Sequence, residues 1–350
     1  MRIIKQPSYF QIETKTTTIK IWTETGSLFL GAIQQISPAR GGQLGMFQSS
    51  WLGPEYQPII IPFLFHIFLG DDPHFDYNNP NQAFDRRHIT ITPFSTSSIS
   101  LKEYSNQIHS MPHSVEVIIT GAVTFSTTMG EFTCEATFSY LLSDLYPEIR
   151  FGGFVKNTGV IGVLVAVEFP RLGPINIGDN SLIFFPWAFG NYPFYIREFD
   201  EDSKKVLRTV YPGAPWPVIH WSQSFLQNKE HIGATFTIKD TIISTKELWF
   251  GNINRIGTSA DTRRPLLLND QYEGGNWFNL ASPLSESLEF QIINEKRVFF
   301  PLFYPMTPPG ELFYLPISHL SISTDPHWAP RIQNYKQWQE TEAGWALPGC

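Results

Sequence analysis

The chain has 350 residues, enough for one large domain or two ordinary ones, with 42% hydrophobic and 16% charged residues and a formal net charge of −7. No basic run and no interleaving of aromatic with basic residues occurs, so a nucleic-acid partner is excluded as a function class. The two cysteines, Cys134 and Cys350, are too few for a disulfide framework and form no CxxC for zinc or redox work, and Cys134, in an apolar alternating run, reads as a buried thiol.

At the N-terminus the chain turns polar too early for the apolar core of a signal peptide. The longest apolar stretch, residues 58–69 (PIIIPFLFHIFL), is too short and too Pro-interrupted to span a bilayer. With no Asn-x-Ser/Thr sequon either, the expectation is a cytoplasmic protein without a membrane partner.

Strand patterns dominate. Residues 17–22 (TTIKIW) and 28–33 (LFLGAI) flank a turn at Glu24-Thr25-Gly26-Ser27 and predict a hairpin. Residues 115–119 and 122–126 flank Thr120-Gly121 and predict a second, with 131–140 (EFTCEATFSY) as the next strand of that meander. Residues 149–156 and 160–169 predict a pair joined at Asn157-Thr158-Gly159. Further strands are expected over 205–211, 217–224, 233–239, 246–251, 288–294 and 315–323. Helical spacing appears only near the end, where Pro330 suits a first helical turn and Ile332, Tyr335 and Trp338 repeat every three residues. Many short strands and one closing helix predict an all-β chain, a large two-sheet antiparallel supersandwich with a short C-terminal helix. The domain reading is residues 1–325 for the sandwich and 326–350 for a helical segment.

Motifs of chemistry are sparse. The loop Asp71-Asp72-Pro73-His74-Phe75-Asp76 gathers oxygen ligands but lacks the glycine and closing glutamate of an EF-hand, and reads as a solvated turn. His109 and His113 are four apart but flank Pro112, with no HExxH and no third ligand, so no metal or other cofactor is expected. Gly274-Gly275 leads into Asn276-Trp277-Phe278, an aromatic-tipped loop placed to cover a ligand or a packed turn. More informative are the strand holding His220 and Trp221, the strand ending at Asp240, and Lys246 opening the next. They would set polar tips beside aromatic rings, a combination that hydrogen-bonds sugar hydroxyls and stacks a pyranose on Trp221. The alternative for His220 is a buried, hydrogen-bonded histidine.

These residues belong to a longer order: Asn180-Ser181-Leu182-Ile183-Phe184-Phe185-Pro186, Gly190, Tyr211-Pro212-Gly213, Ile219-His220-Trp221, Gly233-Ala234-Thr235-Phe236 through Asp240, Lys246, then Trp328, Tyr335 and Trp338. The order resembles the N-terminal galactose-mutarotase-like β-supersandwich domain of uncharacterised glycoside-hydrolase-like proteins. It departs at His220-Trp221, where Gln-Trp or Gln-Phe is usual, and at Lys239-Asp240, where His-Asp is usual. The resemblance implies a non-catalytic, carbohydrate-associated domain whose last helix leads into a (β/α)₈ barrel. On it, His220, Trp221, Asp240, Lys246 and Trp277 are the expected substrate-binding residues, and carbohydrate and the barrel the expected partners. Glycoside hydrolysis needs two carboxylates across the scissile bond, and nothing in the sequence pairs Glu168, Asp179 or Asp240. A stand-alone mutarotase-like or lyase-like enzyme, with a His facing a carboxylate, and a structural or adhesion sandwich are the alternatives.

Overall fold

A strand that alternates apolar and polar side chains buries one face only, so two such sheets hide their apolar faces against each other. A computed structural model shows this arrangement. It describes residues 1–14, 18–23, 28–30, 64–68, 89–93, 95–104, 113–127, 129–144, 146, 148–172, 182–187, 190–195, 206–211, 217–225, 230–240, 246–253, 295–323 and 327–343. The described residues form nineteen strands in three antiparallel sheets and one helix.

The first sheet is N-terminal: β1 (Arg2–Lys5), β2 (Tyr9–Glu13), β3 (Thr18–Trp22) and β4 (Leu28–Leu30) pair in chain order. The expected hairpin of β3 and β4 is present, with Ile19 opposite Leu30. The chain then supplies β5 (Leu64–Phe68) and β6 (Ile89–Pro93), followed by a meander of β7 (Ser95–Tyr104), β8 (Ser114–Thr127), β9 (Gly130–Ser143) and β10 (Glu148–Asn157). Next come β11 (Val163–Glu168), β12 (Leu182–Trp187), β13 (Gly190–Tyr195), β14 (Val206–Tyr211), β15 (Val218–Phe225) and β16 (Glu230–Lys239). The last strands are β17 (Lys246–Ile253), β18 (Glu295–Phe303) and β19 (Leu312–Ser323), before α1 (Ala329–Thr341). The nine-stranded sheet has the order β13-β12-β15-β16-β19-β10-β9-β8-β7, and the six-stranded sheet β14-β17-β18-β11-β5-β6.

Two expected hairpins are corrected. Residues 115–126 are one strand, not two: Val115, Val117, Ile119 and Val123 are all buried, so the alternation runs through Thr120-Gly121 without a change of phase. Asn157-Thr158-Gly159 is a corner between sheets, because β10 pairs with β9 and β19 whereas β11 pairs with β5 and β18. The buried Asn157 amide donates to the carbonyls of Gly162 (3.0 Å) and Thr307 (3.1 Å), tying the corner to the segment that precedes β19. Strand β18 was not expected; its run Val298-Phe299-Phe300-Pro301-Leu302-Phe303 is nearly continuous in apolar residues, as befits a central strand, and so shows no alternation. The strand expected over 288–294 lies outside the described residues.

The two large sheets meet through aromatic rings. Phe138 of β9 stacks on Phe169 at 4.4 Å and on Phe65 of β5 at 6.2 Å, and Phe236 of β16 meets Phe299 of β18 edge-on at 4.8 Å. Each fully buried ring contributes roughly 1.5–3 kcal/mol of transfer free energy. Ile12, Ile19, Ile21 and Trp22 of the N-terminal sheet belong to the same core cluster. Among the described residues no helix is long and apolar enough to cross a membrane.

Candidate functional site

The outward face of the nine-stranded sheet carries the polar half of each alternation, and the strand registers line these residues up in rows. One row runs Glu148, Ser321, Thr235, His220 and Phe184 across β10, β19, β16, β15 and β12. The next runs Arg150, His319, Thr237 and Val218. Between them, the row Ile149, Leu320, Phe236 and Ile219 points inward and is fully buried. Period-two alternation thus separates site from core at every step.

Helix α1 lies over this face. Pro330 occupies its first turn, and Ile332, Tyr335 and Trp338 form a stripe that packs on Val218, with Trp328 beside them. The Tyr335 hydroxyl donates to the carbonyl of Ile238 (3.2 Å), and Trp328 stacks near Phe184 at 5.4 Å. Beneath the helix is an open pocket of about 190 Å³. Its sheet wall presents the hydroxyls of Thr235, Thr237 and Ser321 with Glu148, Lys239 and His319, and its helix wall presents Arg331, Asn334 and Tyr335. The volume is below the ~300 Å³ of a drug-sized site, and suits one small polar unit rather than an oligomer.

The electrostatics follow from close pairs. Arg150 Nε lies 2.7 Å from Glu148 Oε1, and His319 Nδ1 lies 3.5 Å from the same oxygen. Burial opposes the Glu148 carboxylate, but His319 and Arg150 outweigh it and hold the group down to about 2. Burial pushes His319 below its ordinary value more strongly than Glu148 draws it up, with Lys239 and Arg150 adding to the decrease.

The expected site residues fall into three places. His220 is fully buried, its Nδ1 2.8 Å from Thr235 Oγ1, and the threonine rather than the histidine lines the pocket. Trp221, the next residue, lies on the opposite face in the core, with its ring 5.9 Å from Phe299. Asp240 and Lys246 come together as a buried ion pair at 2.5 Å, with the Lys246 ammonium 4.7 Å from the Tyr211 ring centroid. Burial lowers the Lys246 pKa despite Asp240, and burial raises those of Tyr211 and Tyr335, with Asp240 adding to both. Tyr335, which lines the pocket, is within the electrostatic reach of Tyr211 and Asp240. Trp277, Asp179, His109 and the loop at 71–76 lie outside the described residues. Glu168 is buried against Arg171 (2.8 Å) in the six-stranded sheet.

Sequence reasoning missed Glu148, His319, Lys239, Arg331 and Asn334 as site residues. Glu148 and His319 are 171 positions apart, and only the register β10–β19 makes them neighbours. The available clues were the Lys239-Asp240 departure and the helix stripe at Tyr335.

No family model matches the chain, and no curated protein matches it either. Among solved structures it is similar to the GH36 α-galactosidase AgaB from Geobacillus stearothermophilus, at 9% identity over 93% of this chain and 41% of that one, with a TM-score of 0.45. It is similar to the galactosidase domain of the α-galactosidase–sucrose kinase AgaSK at 11% identity, covering 92% of this chain and 42% of that one, with a TM-score of 0.43. The α-galactosidase from Lactobacillus brevis gives 7% identity, 90% and 39% coverage and a TM-score of 0.45. The chain thus spans about two fifths of the length of these structures. Likeness at this level leaves activity to be argued from the site.

Proposed function

We propose that this chain is a carbohydrate-associated β-sandwich domain of a glycoside-hydrolase-like protein, which packs on a (β/α)₈ barrel or shapes its sugar cleft and is not itself catalytic. Residues 1–325 are the sandwich, and 326–350 lead toward the barrel. The observation that carries the reading is the pocket beneath α1: three hydroxyls, an amide, an imidazole and fixed charges converge on a space for one sugar unit. Its roof, the helix with Tyr335 and Trp338, is also the segment that would join the barrel, so occupancy of the pocket is felt at the junction. His220 supports the pocket by holding Thr235, and the charge of Asp240 is felt at Tyr335.

One observation favours a second reading, a stand-alone carbohydrate enzyme: His319 and Glu148 stand side by side in an open pocket. A carboxylate held down to about 2 is a weak general base, which favours binding over catalysis. The experiment is a titration of the chain with mono- and oligosaccharides, following tryptophan fluorescence and the rate of anomerisation. Saturable binding without turnover is expected. Turnover would establish the enzyme instead, and silence across the panel would leave a structural sandwich.

A further inference from the structure

Among the described residues that line the pocket, Glu148 is the one acid, and Lys239 and Arg331 are strongly basic. Glu148 is already committed, with Arg150 at 2.7 Å and His319 at 3.5 Å on a single oxygen. Asp240, next to Lys239 in the chain, is likewise held by Lys246 at 2.5 Å. No described acid makes an ion pair with Lys239, whose ammonium rests 5.6 Å from the centroid of the Trp338 ring. Burial lowers the His319 pKa, and the fields of Lys239 and Arg150 both act against its protonation.

A cation of this kind, beside a sheet wall of hydroxyls, is half of a charge-assisted hydrogen bond. Resting on the reading of the pocket as a sugar site, we propose that the sugar it takes is acidic, a uronic acid. Its carboxylate is held by Lys239, while its hydroxyls meet Thr235, Thr237, Ser321 and Asn334. Neutral sugars use the hydroxyl contacts alone. Lys239 is therefore the residue that sets specificity.

Matched titrations test this at pH 7 and low salt, using glucose and galactose, glucuronate and galacturonate, and inorganic phosphate. Each is run on the unaltered chain and on Lys239→Gln and Lys239→Arg, with Trp338 as the nearby reporter. The uronates should bind about tenfold or more tighter than their neutral counterparts, the margin of one charge-assisted hydrogen bond. Lys239→Gln should erase that preference, and Lys239→Arg should keep it. Added salt should weaken only the uronates. Equal affinity for acidic and neutral sugars would overturn the acidic preference and leave the sugar-site reading standing. Failure of every sugar to bind would overturn both, as would phosphate binding as tightly as the uronates, since the pocket would then recognise a bare anion.

Discussion

Glu148 and His319 show how single residues couple the pocket to pH. The folded pKa of Glu148, about 2, lies below the roughly 4.3 of an unfolded glutamate, so the group adds stability above that value. The contribution is lost as pH falls from about 4.3 through 2. His319 is also lowered in the fold, so the unfolded chain takes up its proton first and stability declines as pH drops below about 6.5. Urea melts between pH 2.5 and 7.5 should therefore show two acid limbs. Glu148→Gln should flatten the lower and His319→Asn the upper. The Asp240–Lys246 pair behaves differently, because its partners are removed from water together. Lys246→Met alone leaves a buried carboxylate uncompensated and should cost roughly 3–5 kcal/mol, whereas Lys246→Met with Asp240→Leu should recover most of that loss in the same melts. That Asp240 and Lys246 stand at neighbouring strand ends was legible in the sequence, but their pairing with each other was not. That Trp221 does not join His220 follows from alternation alone, since adjacent strand residues point to opposite faces.

Among the elements, β10 carries an irregularity just beyond its site residues, Glu148 and Arg150. Its register with β19 shifts between Phe151 and Gly153, and Gly153 adopts φ 153°. A Cβ there would meet the Thr137 carbonyl oxygen at 2.2 Å, a contact with backbone that cannot swing away. At Gly152 the nearest atom would be Ser139 Oγ at 3.7 Å, an ordinary contact. Gly153→Ala should therefore destabilise the chain by about 2 kcal/mol or more, and Gly152→Ala by less than about 1 kcal/mol, as measured by denaturant midpoints. The bulge sits between the row containing Glu148 and the outer end of β10, so Gly153→Ala should also disturb the pocket. Helix α1 was the element most legible in advance, because Pro330 and a three-residue apolar repeat have no strand counterpart. The long strand β8 and the central strand β18 were not. In one, a Thr-Gly pair imitated a turn; in the other, burial on both faces removed the alternation.

Across the whole molecule, one core cluster takes in residues from all three sheets, so opening any part far enough to expose its centre should require general unfolding. Cys134 of β9 reports on this, being fully buried with burial pushing its thiol up to about 12. In a Cys350→Ser variant, labelling of Cys134 at pH 8 should be negligible in the native state and should rise with urea along the global transition. Labelling well below that transition would reveal a separately opening part. The sequence by itself determined the all-β class, most strand positions, the closing helix and the burial of Cys134, because these depend on short-range alternation and turn chemistry. Only the tertiary structure decided which strands share a sheet, and hence that Glu148, His319 and Lys239 line one pocket under α1. Strand pairing is a long-range choice made by the fit of whole apolar faces, and a polar residue on an outward face carries no local mark of the neighbours that the register will give it.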